Sequence, residues 1–292
     1  MMHSMRVRST LLLVSVAVLL AACSMVQMGY GQADRLMAWR LDDYLPLDSG
    51  QREAVQPALA RVVHWHCESQ LPVYAAWLRS VDADLRSGTD EARMDRHVDT
   101  LLGFARIAAA HAAKEVGPLL AAARPAQIAA LNKRFERNRR EYIEDWVEPS
   151  PDRLLRERRA RIRDRIEGWT GRLTPEQVAI VDRWASGIRS DPDDALESRR
   201  RWQSAMATLL ARQDLTRDAF ARELEALLVS PANHWTPGYA QAFDANRTLA
   251  VQSLAAISRT LTDAQKRKLT NEMKALADDL EGMRCPPPDN RT

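Results

Sequence analysis

His64, His66 and Cys67 place two imidazoles and a thiol within four residues of the stretch VVHWHCESQLP, Val62 to Pro72. Such side chains can ligate zinc, shuttle protons or supply a thiolate nucleophile. Helical geometry narrows the choice. Residues i and i+2 lie about 200° apart around a helix axis, so His64 and His66 diverge, whereas helical zinc sites use i,i+3 or i,i+4 pairs. His97 and His111 could join them only through tertiary packing. One stripe runs Val55, Leu59, Val62, His66, Val73 and Trp77; its neighbour runs Val63, Cys67, Leu71, Tyr74, Leu78 and Leu85. His66 and Cys67 are therefore expected on the core side. His64, in line with Ala60 and Glu68, is expected to face solvent. A buried histidine satisfied by a hydrogen bond is the expected role. Pro72 removes a backbone N–H and is expected to kink the helix, freeing a carbonyl to which His66 could bond. The cluster implies no metal and no cofactor. An enzymatic reading would centre on a pocket holding His66 or Tyr74.

No GxSxG, HExxH, Walker glycine loop or GxGxxG occurs. Paired acids such as Asp42-Asp43, Asp193-Asp194 and Asp278-Asp279 fall near expected helix ends or on solvated faces, where they cap and solubilise.

The elements that must carry these residues are helices. Glycine is scarce at 11, NG and DG turns are absent, and Ala, Leu, Arg and Glu dominate. The expected class is all-α, an elongated multi-helix bundle of amphipathic helices. A pattern L-x-x-x-Q recurs as LDSGQ (Leu47 to Gln51), LTPEQ (Leu173 to Gln177) and LTDAQ (Leu261 to Gln265), with a degenerate ARPAQ at Ala123 to Gln127. It reads as a capping box with a staple. Thr174 caps, Pro175 sits at N1, Gln177 reaches back to the cap, and Leu173 packs on Val178. Helical stripes follow: Val178, Val181, Trp184, Ala185, Ile188, and Leu269, Met273, Leu276, Leu280, Met283. The uneven spacing excludes a solenoid and leaves room for two diverged halves joined near residues 168–173. Corners are expected at Ser87-Gly88-Thr89, Gly117-Pro118, Pro149-Ser150-Pro151, Asp191-Pro192 and Pro231 to Gly238. Residues 286–292 are expected to fray unless Cys285 pins them.

The N-terminus joins Arg6 and Arg8 to an apolar run from Leu11 to Ala22, then Leu20-Ala21-Ala22-Cys23. That run would span about 18 Å as a helix, too short for about 30 Å of hydrocarbon, so it is expected to be a signal peptide over residues 1–22. The end resembles the lipobox of bacterial lipoproteins, which implies cleavage before Cys23 and acylation of it. An ordinary secretory signal cleaved nearby is the alternative. Ser24 favours the outer membrane under the usual sorting rule, so the body is expected on its periplasmic face, with residues 23–46 a lead-in and 47–285 the helical domain. Without Arg6 and Arg8 the chain has 40 basic against 39 acidic residues, so the basic balance argues little for nucleic acid, and no nucleic-acid partner is expected. Residues 133–165 hold twelve basic and eight acidic residues. Their interleaving predicts a solvated face of i,i+4 pairs, with anionic lipid head groups a better partner than DNA. Beyond Cys23, Cys67 and Cys285 remain, an even pair in an oxidising compartment and so a candidate disulfide.

The order lipobox, Tyr30, Asp34, Trp39, Leu41 to Tyr44, LDSGQ, Trp65-His66, Leu71-Pro72-x-Tyr74, then GWTGRLTPEQ from Gly168 to Gln177 (with Trp169, Leu173 and Gln177) resembles the domain-of-unknown-function family 6279, predicted lipoproteins of proteobacteria. The resemblance implies a helical periplasmic lipoprotein and supplies no activity. The family's usual Trp-His-Arg is Trp65-His66-Cys67 here; that departure implies a Cys67 that pairs with Cys285 and is no shared nucleophile. The LTxxQ helix starts also resemble those of small periplasmic chaperones of the Spy type, which are much shorter; the capping chemistry accounts for the motif without a shared function.

The expected role is a non-enzymatic module held to the lipid bilayer through acylated Cys23, binding an envelope protein partner or organising the periplasmic face. A chaperone-like client-binding role is the second reading and needs an exposed apolar concave surface. An enzyme with a pocket near His66 is the third.

Overall fold

The structure, a computed structural model, describes residues 30–121 and 123–286. The expected signal peptide, Cys23 and the last six residues lie outside the described residues. Every regular element described is helical. In chain order these are α1 Ala33–Tyr44, α2 Ser49–Trp65, a π-helical turn His66–Gln70, α3 Leu71–Ser87 and α4 Glu91–Leu120. Next come α5 Pro125–Trp146, α6 Pro151–Thr170, α7 Pro175–Gly187 and α8 Pro192–Ala211. Then follow α9 Arg217–Val229, a 3₁₀ turn Pro231–His234, α10 Pro237–Arg259 and α11 Asp263–Glu281. The lead-in is thus itself helical from Ala33. No described helix is long and apolar enough to cross a membrane.

Helix starts follow the capping chemistry. Asp48, Thr174 and Thr262 each accept from the backbone N–H three residues on, and Gln51, Gln177 and Gln265 return the bond to the cap. In the degenerate copy, Arg124 N–H donates to Gln127 (2.9 Å), while its guanidinium reaches Asp48, the cap of the first copy (2.7 Å). Gly88, at φ 82°, closes α3 in the left-handed region that glycine alone enters freely.

The boxes also meet in pairs. Gln177 and Gln265 exchange amide hydrogen bonds (2.9 and 2.8 Å), and each donates its second N–H to a carbonyl at the other's helix entrance, Thr260 (3.0 Å) and Arg172 (2.9 Å). Gln177 is 0 % exposed, so every polar atom of its amide is satisfied inside the protein. Gln51 and Gln127 form the corresponding joint at the other end of the sequence, with Gln127 Nε2 at 2.6 Å from both Gln51 Oε1 and Pro46 O.

Among the described residues the helices enclose two main cores and two smaller clusters. The first gathers Leu45, Val55, Leu59, Val116, Leu131 and Phe135 with Leu210, Phe220 and Leu224. The second gathers Val81, Ile166, Leu173, Ile180, Val181, Leu261 and Leu269. Both draw on early and late sequence. The chain does not part into two cores near residues 168–173: Ile166 and Leu173, on either side of that point, pack in the same core. Each glutamine joint, by contrast, lies within one half of the sequence.

Three local expectations change. Gly117-Pro118 is no corner, since α4 runs on to Leu120; a Cβ on Gly117 would stand 3.0 Å from the Ala221 Cα of α9, so the glycine serves helix contact. Leu276 is exposed and Ala277 fully buried against Ala75 of α3: small residues let α3 and α11 approach closely. Val73 is 48 % exposed instead of joining the core stripe, because the π turn shifts the helical phase ahead of it. The arginine-rich segment behaves as expected, with i,i+4 pairs Arg140–Glu136, Arg153–Glu157, Arg161–Glu157 and Arg163–Glu167.

Candidate functional site

The π turn carries the histidine–cysteine cluster. Leu71 N–H bonds to His66 O, five residues back, and Pro72 follows at the start of α3, where its missing N–H costs little. The kink expected at Pro72 is therefore a widened turn just before it.

His66 bonds to two hydroxyls, not to a carbonyl freed by Pro72. Its Nδ1 lies 2.8 Å from Tyr30 Oη and its Nε2 3.2 Å from Tyr74 Oη. Tyr30 Oη also donates to Val63 O at 3.4 Å. One tautomer satisfies all three contacts: Nδ1–H donates to Tyr30, Tyr30 donates to Val63, and Nε2 accepts from Tyr74. Burial holds the His66 imidazole below its ordinary pKa. Burial, then the neighbouring Tyr74, pushes Tyr30 up to about 12, and burial raises Tyr74. Near neutrality the histidine is thus uncharged and both phenols keep their protons. The three side chains make a clamp that ties the lead-in to the α2–α3 junction.

The neighbouring residues are each engaged elsewhere. Trp65 stacks on His111 of α4 at 3.7 Å between ring centres; burial is the main cause of the lowered His111 pKa. Cys67 is buried and bonded to Cys285, with Cα atoms 5.5 Å apart. That bond brings the C-terminal segment over the turn, where Pro286 O sits 2.8 Å from His64 Nδ1, while Glu68 lies 3.3 Å from His64 Nε2. His64 is therefore partly covered, where the helical phase predicted solvent. His97 pairs with Asp84 at 2.8 Å. Among the described residues no three of His, Cys, Asp and Glu converge on a common point that could hold a metal. Tyr74 continues through Phe104 (4.5 Å) to Trp77 (5.8 Å), whose indole N–H is buried without a hydrogen-bond partner.

The other motif residues serve the fold. Leu71 is buried, Trp169 packs on the second core that contains Leu173, and Gln177 makes the joint described above. Two features escape a reading by helical periodicity. One is Tyr30 as partner of His66, 36 residues away. The other is an open groove beside α1 bordered by Tyr44, Asn138, Arg199 and Trp202.

No curated protein and no solved structure matches the chain. A family model, described as a family of unknown function, DUF6279, matches residues 43–240. That span includes Trp65-His66, Leu71-Pro72-x-Tyr74 and the segment from Trp169 to Gln177, more than half of the chain, and the protein belongs to the DUF6279 family of unknown function.

Proposed function

We propose that the protein is an outer-membrane lipoprotein whose helical body stands in the periplasm as a non-enzymatic module for protein interaction or envelope structure. The observation that carries this reading is the use of its cysteines. Of three, Cys67 and Cys285 are joined, a bond that persists in oxidising compartments. The third, Cys23, follows Leu20-Ala21-Ala22 directly after an apolar leader. A single acyl chain binds a membrane only marginally, so durable anchoring calls for several chains on that residue. The non-enzymatic part is supported by His66, whose two ring nitrogens are both taken by hydroxyls. The LTxxQ starts give a chaperone-like role no separate support, because Gln177 and Gln265 are buried against each other.

Cells expressing the full chain are fed an alkynyl palmitate and their membranes fractionated. The label is expected in the outer-membrane fraction and lost in Cys23→Ala. Unlabelled processed protein in the aqueous fraction overturns the reading. A crosslinking pull-down from the native envelope then identifies the partner protein.

A further inference from the structure

α1 has two faces. Asp34, Ala38 and Leu41 turn inward: Gln56 of α2 donates to the Asp34 carboxylate (2.7 Å), and Ala38 and Leu41 pack against the first core. Leu36 and Trp39, one turn apart, lie on the opposite side at about 100° per residue. They are 62 % and 61 % exposed, the two most exposed large apolar side chains among the described residues. α1 has no buried residue of its own. A lone exposed leucine needs no explanation. A leucine and a tryptophan side by side, on a helix that rests on the body by its other face, do.

The place of α1 in the chain bears on what covers that face. The clamp of Tyr30 on His66 fixes the chain to the body three residues before α1. Tyr30 stands seven positions after Cys23, a reach of at most about 25 Å. A compact body of about 250 residues is roughly 45 Å across. With acyl chains on Cys23 held in a bilayer, the side of the body away from Tyr30 cannot rest on the lipid. α1 belongs to the half that can.

The side chains suit a boundary of lipid and water. Indole rings gather at the head-group level of membranes, apolar in body with one N–H to donate. Arginines lay their aliphatic stems along apolar surface and keep their charge in water. Arg35 and Arg40 border Leu36 and Trp39 on either side; Arg35 donates to Gln32 (3.0 Å) and Arg40 pairs with Asp43 (3.4 Å), both on the exposed surface. A stable protein interface covers about 800 Å² on each partner, which two apolar residues edged by charge do not supply. Alone they would hold a membrane weakly, but an anchor close by makes the contact intramolecular. We infer that the outer face of α1 lies on the bilayer surface, with Leu36 and Trp39 inserted among the lipid head groups, so that the body stands at the membrane in one orientation. The inference rests on the acylation of Cys23.

The full chain is purified from membranes, its mass checked for acyl groups on Cys23, and reconstituted in vesicles of phosphatidylethanolamine and phosphatidylglycerol. With Cys67 and Cys285 joined and Cys23 acylated, a thiol introduced by Leu36→Cys, Trp39→Cys or Leu276→Cys is the free one that takes an NBD fluorophore. All three positions are exposed, and circular dichroism checks that the fold is kept. At positions 36 and 39 the fluorophore is expected to be quenched by doxyl-labelled lipid and shielded several-fold from aqueous iodide, relative to position 276 on α11, a helix of the second core. A charge on the same face, in Leu36→Cys/Trp39→Asp, should restore iodide access at position 36. Acylated protein in which positions 36 and 39 meet iodide as freely as 276, or shielding unchanged in the double variant, overturns the inference and leaves the anchor standing. Shielding in native envelopes but not in lipid vesicles assigns the face to a protein partner and overturns it too. Absence of acyl mass on Cys23 overturns the anchor and the inference together.

Discussion

The Gln177–Gln265 joint makes a quantitative demand. Gln177→Ala removes the bond returned to Thr174 N–H, both amide bonds to Gln265 and the bond to Thr260 O. The partners stay where they are, in a region where Gln177 is 0 % and Gln265 5 % exposed. An unsatisfied buried polar group costs about 1–3 kcal/mol, and loss of a capping contact about 1 kcal/mol. Some partners keep a second bond: Gln265 Oε1 still accepts from Thr262 N–H, and its Nε2 still donates to Arg172 O. The expected loss is therefore about 3–5 kcal/mol, on the order of 10 °C in Tm for a chain of this size. Because the two amides satisfy each other, Gln177→Ala/Gln265→Ala should cost less than the sum of the singles, by about 1–3 kcal/mol. Urea unfolding followed by circular dichroism measures all three variants with the disulfide intact. A single-mutant loss below about 1 kcal/mol, or strict additivity in the double mutant, would refute the joint as a coupled buried pair.

Gly117→Ala should destabilise by about 1–3 kcal/mol, because its Cβ meets the Ala221 Cα at 3.0 Å and backbone cannot step aside; a thermal melt equal to wild type would show that α4 and α9 separate freely. Breaking the 218-residue loop with Cys285→Ser should cost up to about 5 kcal/mol in chain-entropy terms, and peptide mapping without reductant should recover Cys67 joined to Cys285; two free thiols there would contradict the bond. Both His66 and His111 have depressed pKa values, so the folded state binds fewer protons than the unfolded one. Their contribution to stability is whole above about pH 6.5 and is lost as pH falls through the folded-state values; His66→Gln should flatten that slope in denaturation measured from pH 7.5 to 5, and an unaltered slope would argue against a buried neutral imidazole. Tyr30 works in the opposite sense, its contribution whole below about pH 10 and lost as pH rises through about 12, and Tyr30→Phe should shrink that alkaline limb, leaving the part due to Tyr74 and Tyr142, in denaturation measured from about pH 8 to 11.

The helical class and the capped starts were legible because both are local. Scarce glycine, the stripe of Val181 and Ala185, and the Thr174–Gln177 box each need only a few neighbouring residues. The pairing of boxes was not, since Gln177 and Gln265 are 88 residues apart and only the folded chain brings them together. Helical phase placed Cys67 correctly inside but misplaced Val73, because the π turn alters the residues per turn. The same phase argument put His64 in solvent; it had no means of seeing Pro286 arrive by way of the disulfide. Gly117-Pro118 looked like a corner by composition, yet the proline costs α4 a single backbone bond to the turn before it, and the helix runs on to Leu120, with Ala121 N–H still bonded to Gly117 O.

The bond between Cys67 and Cys285 turns the stretch between them into a covalent ring, with the first 66 residues attached as a single strand. The corners at Gly88, Pro149 and Pro231 all belong to that ring. A protease that nicks any one of them leaves both fragments tethered, and the molecule keeps its mass until a reductant is added. Shedding of the body from its N-terminal arm therefore takes one cut ahead of Cys67, and a single cut between Cys67 and Cys285 releases nothing by itself.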